Sequence, residues 1–254
     1  MAKKHSKKKT STVAKAAKVV TTVKAAAEAV EMAKEIKKEV DVAHEKITAE
    51  LHPSPFRKSL AKPMRWILVV GGIIGLVCSF IISYDKLRLL QDGSFQPNCD
   101  INPIISCGSV MKSWQGSLFG FPNPWIGLIG FGILLAVGMG LFAGAKYKRW
   151  YWLGLQAGTI LGLVFVHWLF SQAVYVIQAL CPYCMVVWVV TITTFWYTLL
   201  YNIEQGFIKL PAKLQSAGNF ARKHHLDILL FWLFIIFVLI MQHFWYFFGK
   251  PFGA

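Results

Sequence analysis

Residues 66–84 read WILVVGGIIGLVCSFIISY, from Trp66 to Tyr84, without one charged side chain. A helix of that length approaches the roughly 20 residues that cross a hydrocarbon layer of about 30 Å. Four further runs repeat the pattern: about Pro122 to Ala145, Trp150 to about Leu180, Met185 to about Tyr201, and about Ile228 to Trp245. The third exceeds a minimal span and so tilts or projects beyond the lipid. The fourth is short unless its helix starts within Cys181-Pro182-Tyr183-Cys184, where Pro182 suits a first helical position because its missing N–H costs nothing there. A chain of 254 residues that is 56% hydrophobic, with a mean hydropathy of +0.50, therefore folds in a bilayer as an all-α integral membrane protein.

The formal charge of +15 does not signal nucleic acid, because sixteen of the 27 Lys and Arg residues precede Trp66 and most others lie between apolar runs. Arg57, Lys58, Lys62 and Arg65 precede the first run, Lys146, Lys148 and Arg149 separate the second from the third, and Lys209, Lys213, Arg222 and Lys223 separate the fourth from the fifth. The positive-inside tendency then predicts a cytoplasmic N-terminus and an outer C-terminus. The first run should persist as an anchor, since a long Lys-rich segment precedes it and Tyr84-Asp85-Lys86 follows without a small-residue cleavage pattern. Residues 1–62 read as a Lys- and Ala-rich cytoplasmic extension, helical or loosely ordered, with Val13, Ala16, Val20, Val23, Ala27, Val30, Ala33, Ile36, Val40, Ala43 and Ile47 forming a helical stripe. That stripe suits docking to anionic lipid or a partner helix, or an extension that helps set orientation. Pro53 and Pro55 mark a linker; residues 63–204 form the membrane domain, and 205–254 a cytoplasmic loop, a fifth span and a short tail.

Four of five cysteines fall into two pairs on the predicted outer side: Cys99 and Cys107 in the loop of about residues 90–121, and Cys181 and Cys184 at the junction of the third and fourth runs. Thiol–disulfide exchange passes a disulfide from pair to pair, and a helix N-terminus stabilises the attacking thiolate. Zinc and static disulfides are the alternatives, and a zinc site would need all four sulfurs or other ligands. Asn102 and Pro103 favour a turn between Cys99 and Cys107. Cys78, within the first span, reads as a small buried apolar residue. His167 is the only ionisable residue in the third run, beside polar Gln156, Ser171 and Gln172; it reads as a bundle-facing histidine bonded to a neighbouring helix, with proton delivery the competing role. Phe121, Trp125, Phe165, Trp168 and Trp188 read as a quinone-pocket lining or as interfacial anchors.

The loop pair ending in Ile105-Ser106-Cys107, then Val110, Ser113, Asn123 and Gly127, and finally Cys181-Pro182-Tyr183-Cys184, resembles the vitamin K epoxide reductase family over about Arg65 to Glu204, most closely its actinobacterial-like bacterial members. The resemblance implies a four-helix bundle around a quinone, with a loop helix over the pocket and a fifth helix added. It implies that Cys184 faces the quinone, that Cys181 exchanges with Cys107, and that Cys99 meets an external thiol protein. It further implies that Asn123 donates a hydrogen bond to a quinone carbonyl and that Ser113 steadies the redox loop. The expected acceptor from the membrane quinone pool is menaquinone if the source is actinobacterial. The expected partner is a separate, exported thioredoxin-fold, DsbA-like thiol oxidase. Trp188 stands where vertebrate members carry a tyrosine that contacts the quinone; an indole donates one hydrogen bond and accepts none, which favours quinone reduction over epoxide reduction. The rival reading is a non-enzymatic membrane scaffold with two structural disulfides.

Overall fold

The computed structural model describes residues 24, 30–41, 43 and 60–248. The chain forms two units, Met1–Pro55 and Phe56–Ala254. In the first, residues 30–41 are helical (α1), with Val30, Ile36 and Val40 exposed and Lys34 paired with Glu31 at 3.4 Å. The rest of the predicted stripe, and Pro53 and Pro55, lie outside the described residues.

The second unit is helical throughout. Its long helices are α2 (Ala61–Gln91), α4 (Pro124–Phe142), α5 (Arg149–Ser171), α6 (Pro182–Glu204) and α8 (His225–His243). Each is long and apolar enough to cross a membrane. Short elements join them: α3 (Cys107–Lys112), a 3₁₀ turn Trp114–Ser117, a π-helical turn Gln172–Ile177 that continues α5, α7 (Ala212–Lys223) and α9 (Trp245–Phe248). Side chains such as Ile129, Leu161 and Phe231 stand exposed on the spans, as a lipid-facing surface requires.

The helices overrun the apolar stretches that announce them. At 31 residues α2 is about 46 Å long, so it extends beyond the hydrocarbon and carries Lys86 and Arg88 outward. The third run becomes α5 plus the π turn, ending at Gln178 in a left-handed conformation with φ 58°. The fourth helix starts with Cys181 as N-cap and Pro182 in its first turn, which supplies the length that its apolar run lacks.

The helix α2 packs against α4 and α6, and α6 against α5. Contact with α4 needs bare backbone: a Cβ on Gly72 would stand 2.8 Å from Leu135 N, and one on Gly138 2.9 Å from Val69 N. Small residues of this kind let membrane helices approach where dispersion, not hydrophobic exclusion, drives association. One apolar core, including Leu68, Trp152 and Leu200, fills the half of the bundle where α2 begins. There Asn202 Nδ2 donates to Gln156 Oε1 at 3.1 Å, joining α6 to α5. Two further clusters occupy the other half, one around Trp188 and Phe244 and one around the cysteines.

Candidate active site

The loop after α2 is shaped by local hydrogen bonds. Asn102 Oδ1 accepts from Ile104 N at 3.0 Å and Ile105 N at 2.7 Å, the turn that Asn102 and Pro103 foretell. Ser106 caps α3 by accepting from Ser109 N at 3.1 Å. The Asp100 carboxylate accepts from Gly108 N at 2.8 Å and Ser106 Oγ at 3.1 Å. At the other end of α3, Lys86 donates to the Met111 carbonyl and Ser113 Oγ to the Val110 carbonyl. Cys99 and Cys107 are joined as a disulfide, their Cα atoms 5.7 Å apart.

This loop is then paired to the segment before α6. Leu180 N donates to Ile104 O at 2.6 Å and Ser106 N to Leu180 O at 3.0 Å, an isolated parallel bridge. The next residue on each side of the bridge region is a cysteine, and Cys107 Sγ lies 3.2 Å from Cys181 Sγ. Both are almost fully buried, at 0% and 1% exposure. Cys181 and Cys184 are free thiols. The Cys181 thiol is held below the ordinary thiol value chiefly by hydrogen bonding from Cys184; burial opposes this, and the N–H groups of Cys184 and Tyr183 at the helix start reinforce it.

Cys181, Cys184 and Trp188 line a cavity with Val110, Gln115, Gly116, Leu169, Ala173 and Ile177. Its volume is about 30 Å³, the share of one water molecule. Apolar walls, one amide and two sulfurs suit a quinone ring chemically, but its entry requires the lining side chains to part. Gln115, buried and bonded to Gln172 Oε1 at 3.3 Å, went unnoticed in the sequence; the pattern Trp114-Gln115-Gly116-Ser117 carries no signal of burial.

The other candidates sit nearby in different roles. Asn123 clasps the 3₁₀ turn: its Nδ2 donates to Gln115 O at 2.6 Å and its Oδ1 accepts from Leu118 N at 3.1 Å. Phe121, Trp125, Phe165 and Trp168 join Phe119 and Trp114 in a ladder of rings at 5.7–6.1 Å, apart from the residues that line the cavity. His167 Nδ1 bonds the Leu163 carbonyl at 2.9 Å and its Nε2 accepts from Trp232 Nε1 at 3.2 Å, so it ties α5 to α8 in its neutral form. Cys78 is buried and free, yet interacts electrostatically with Cys181 and Cys184.

The sequence profile of the vitamin K epoxide reductase family matches residues 66–199, just over half of the chain. The chain belongs to the vitamin K epoxide reductase family. Members of this family are membrane oxidoreductases that use quinones, and the match covers α2 through most of α6, including all five cysteines and the cavity. No curated protein matches the chain. The fifth span, α8, lies beyond the part matched to the vitamin K epoxide reductase family.

Proposed function

We propose that this chain is a thiol:quinone oxidoreductase that reoxidises an exported thioredoxin-fold, DsbA-like thiol oxidase and so supports disulfide formation in exported proteins. The observation that carries this reading is the 3.2 Å approach of Cys107 Sγ to Cys181 Sγ, which places a loop disulfide beside a dithiol that lines a cavity. The partner's thiolate attacks Cys99, releasing Cys107 as a thiolate, and a second partner thiol frees Cys99 as the partner leaves oxidised. Cys107 then attacks Cys181 of a Cys181–Cys184 disulfide, releasing the Cys184 thiolate. Cys99 resolves the Cys107–Cys181 bond, restoring the loop disulfide and leaving Cys181 and Cys184 reduced, the arrangement seen here. A quinone bound at the cavity would accept two electrons and two protons as Cys181 and Cys184 rejoin.

Trp188 supports this reading from the cavity wall, and Asn123 retains a second amide N–H that is unbonded among the described residues and available to a quinone carbonyl. Ser113 steadies the loop from the end of α3. Menaquinone is the proposed acceptor. We place the chain in the plasma membrane with its N-terminus cytoplasmic and both cysteine pairs outside: Lys62 and Arg65 start α2, Lys146, Lys148 and Arg149 lie between α4 and α5, and Lys209 to Lys223 lie between α6 and α8, all at the bundle end opposite the cysteines.

The test is differential alkylation of Cys99, Cys107, Cys181 and Cys184 in purified protein, with and without menaquinone. Oxidation of the Cys181–Cys184 pair by quinone, and its re-reduction by a reduced thioredoxin-fold protein, is expected. Redox states indifferent to both would leave the scaffold reading.

A further inference from the structure

The fifth span makes an unexpected contribution to the redox centre. Phe244, at its outer end, is completely buried, in one cluster with Trp188 of the cavity wall, Leu180 and Ile104 of the bridge, and Ala173 and Val174 of the π turn. Beside it, the His243 ring meets Tyr175 of the same π turn edge-on at 5.1 Å. Lower on the helix, Trp232 bonds His167 at 3.2 Å, and His225 bonds Trp196 and Tyr197 at 2.9 Å each, so α8 is held to α5 and α6 along its length. The rest of α8 is largely exposed and apolar, as lipid contact requires.

The π turn is the adjustable joint of this half of the bundle. One extra residue in a helical turn rotates everything beyond it, and such turns need external packing to hold one register. Here two residues of the turn, Ala173 and Ile177, line the cavity, and the turn leads through left-handed Gln178 to Leu180, whose two backbone bonds place Cys107 against Cys181.

We propose that the outer end of α8, through Phe244 with His243, is a positioning element that braces the π turn and so sets the Cys107–Cys181 approach. This rests on the proposed thiol transfer, but its geometry can be tested without quinone. A Cys78→Ser/Cys99→Ala/Cys184→Ala chain keeps only Cys107 and Cys181, and a small disulfide oxidant then drives formation of one bond between them. In the full-length protein Phe244→Ala should slow that closure on the order of 100-fold, the penalty of misplacing reacting groups by about 1 Å. Phe244→Leu should restore most of the rate, and Phe231→Ala, on the lipid-facing side, should leave it unchanged. In chains retaining all five cysteines, Phe244→Ala should lower kcat at saturating menaquinone. Equal closure rates for folded Phe244→Ala and its parent, or a Phe244→Leu chain as slow as Phe244→Ala, overturn the brace. If Phe244→Ala does not fold, Phe244→Val and His243→Ala are compared in the same way. Closure that depends on Phe244 in a protein unable to reduce quinone would sustain the brace and defeat the proposed function; quinone reduction with closure indifferent to Phe244 would do the reverse.

Discussion

Cys107 Sγ and Cys181 Sγ lie 3.2 Å apart although 74 positions separate them in the chain. Neither sulfur approaches through its own helix alone. The contact is made by the backbone bridge between Ile104–Ser106 and Leu180, one residue before each cysteine. The chemistry of the site follows from that bridge.

Removing Cys184 should therefore strand the transfer. In Cys184→Ala the Cys181 thiolate attacks Cys107, Cys99 leaves as a thiolate, and no thiol remains on the cavity side to expel Cys107. A Cys107–Cys181 disulfide is expected by non-reducing peptide mapping, and quinone reduction should fall to background. Adding Cys181→Ala should abolish the trapped species; a trapped bond from Cys99 to Cys181 instead would reverse the proposed order.

The pH dependence of that trapping has a definite sign. Only the thiolate attacks, so the rate rises as pH rises through the Cys181 value, which lies below that of an ordinary thiol chiefly because Cys184 donates to it. Cys184→Ser keeps an O–H donor and Cys184→Ala does not. The half-maximal pH for trapping should thus be higher in Cys184→Ala than in Cys184→Ser, and coincident profiles would refute the hydrogen-bond explanation.

Gly108 should tolerate no side chain. A Cβ there would stand 2.5 Å from Asp100 Oδ2, so Gly108→Ala must displace the carboxylate that accepts Gly108 N–H and Ser106 Oγ. A loss on the order of 1 kcal/mol is expected for that bond. Thermal melting in detergent should register it, together with slower trapping in the Cys184→Ala background.

Trp232→Phe removes the N–H that His167 Nε2 accepts while keeping the ring. Hydrogen bonds between membrane helices average about 0.6 kcal/mol. A small fall in melting temperature is expected, with quinone reduction preserved; a loss of activity at full stability would point instead to proton delivery by His167.

Asn123→Asp exchanges a donor for an acceptor against the Gln115 carbonyl while keeping an acceptor for Leu118 N–H. The 3₁₀ turn should loosen and KM for menaquinone should rise, measured by steady-state quinone reduction. An unchanged KM would remove both the clasp and the quinone contact from the account.

The sequence by itself determined the membrane fold, because crossing a bilayer depends on local composition: uncharged runs such as Trp66–Tyr84 have no other stable solvent. It also determined which cysteines matter, since Cys181-Pro182-Tyr183-Cys184 carries its own helix start. What it left open depends on how helices rotate against one another. The burial of Gln115, the clasp by Asn123, the His167–Trp232 bond and the insertion of Phe244 each join residues whose neighbours in sequence announce nothing. The π turn alone shifts the register of everything between Gln172 and Cys181, and no hydrophobic period records that shift. Only tertiary packing could decide that Cys107, at 0% exposure, would meet Cys181 at 1%.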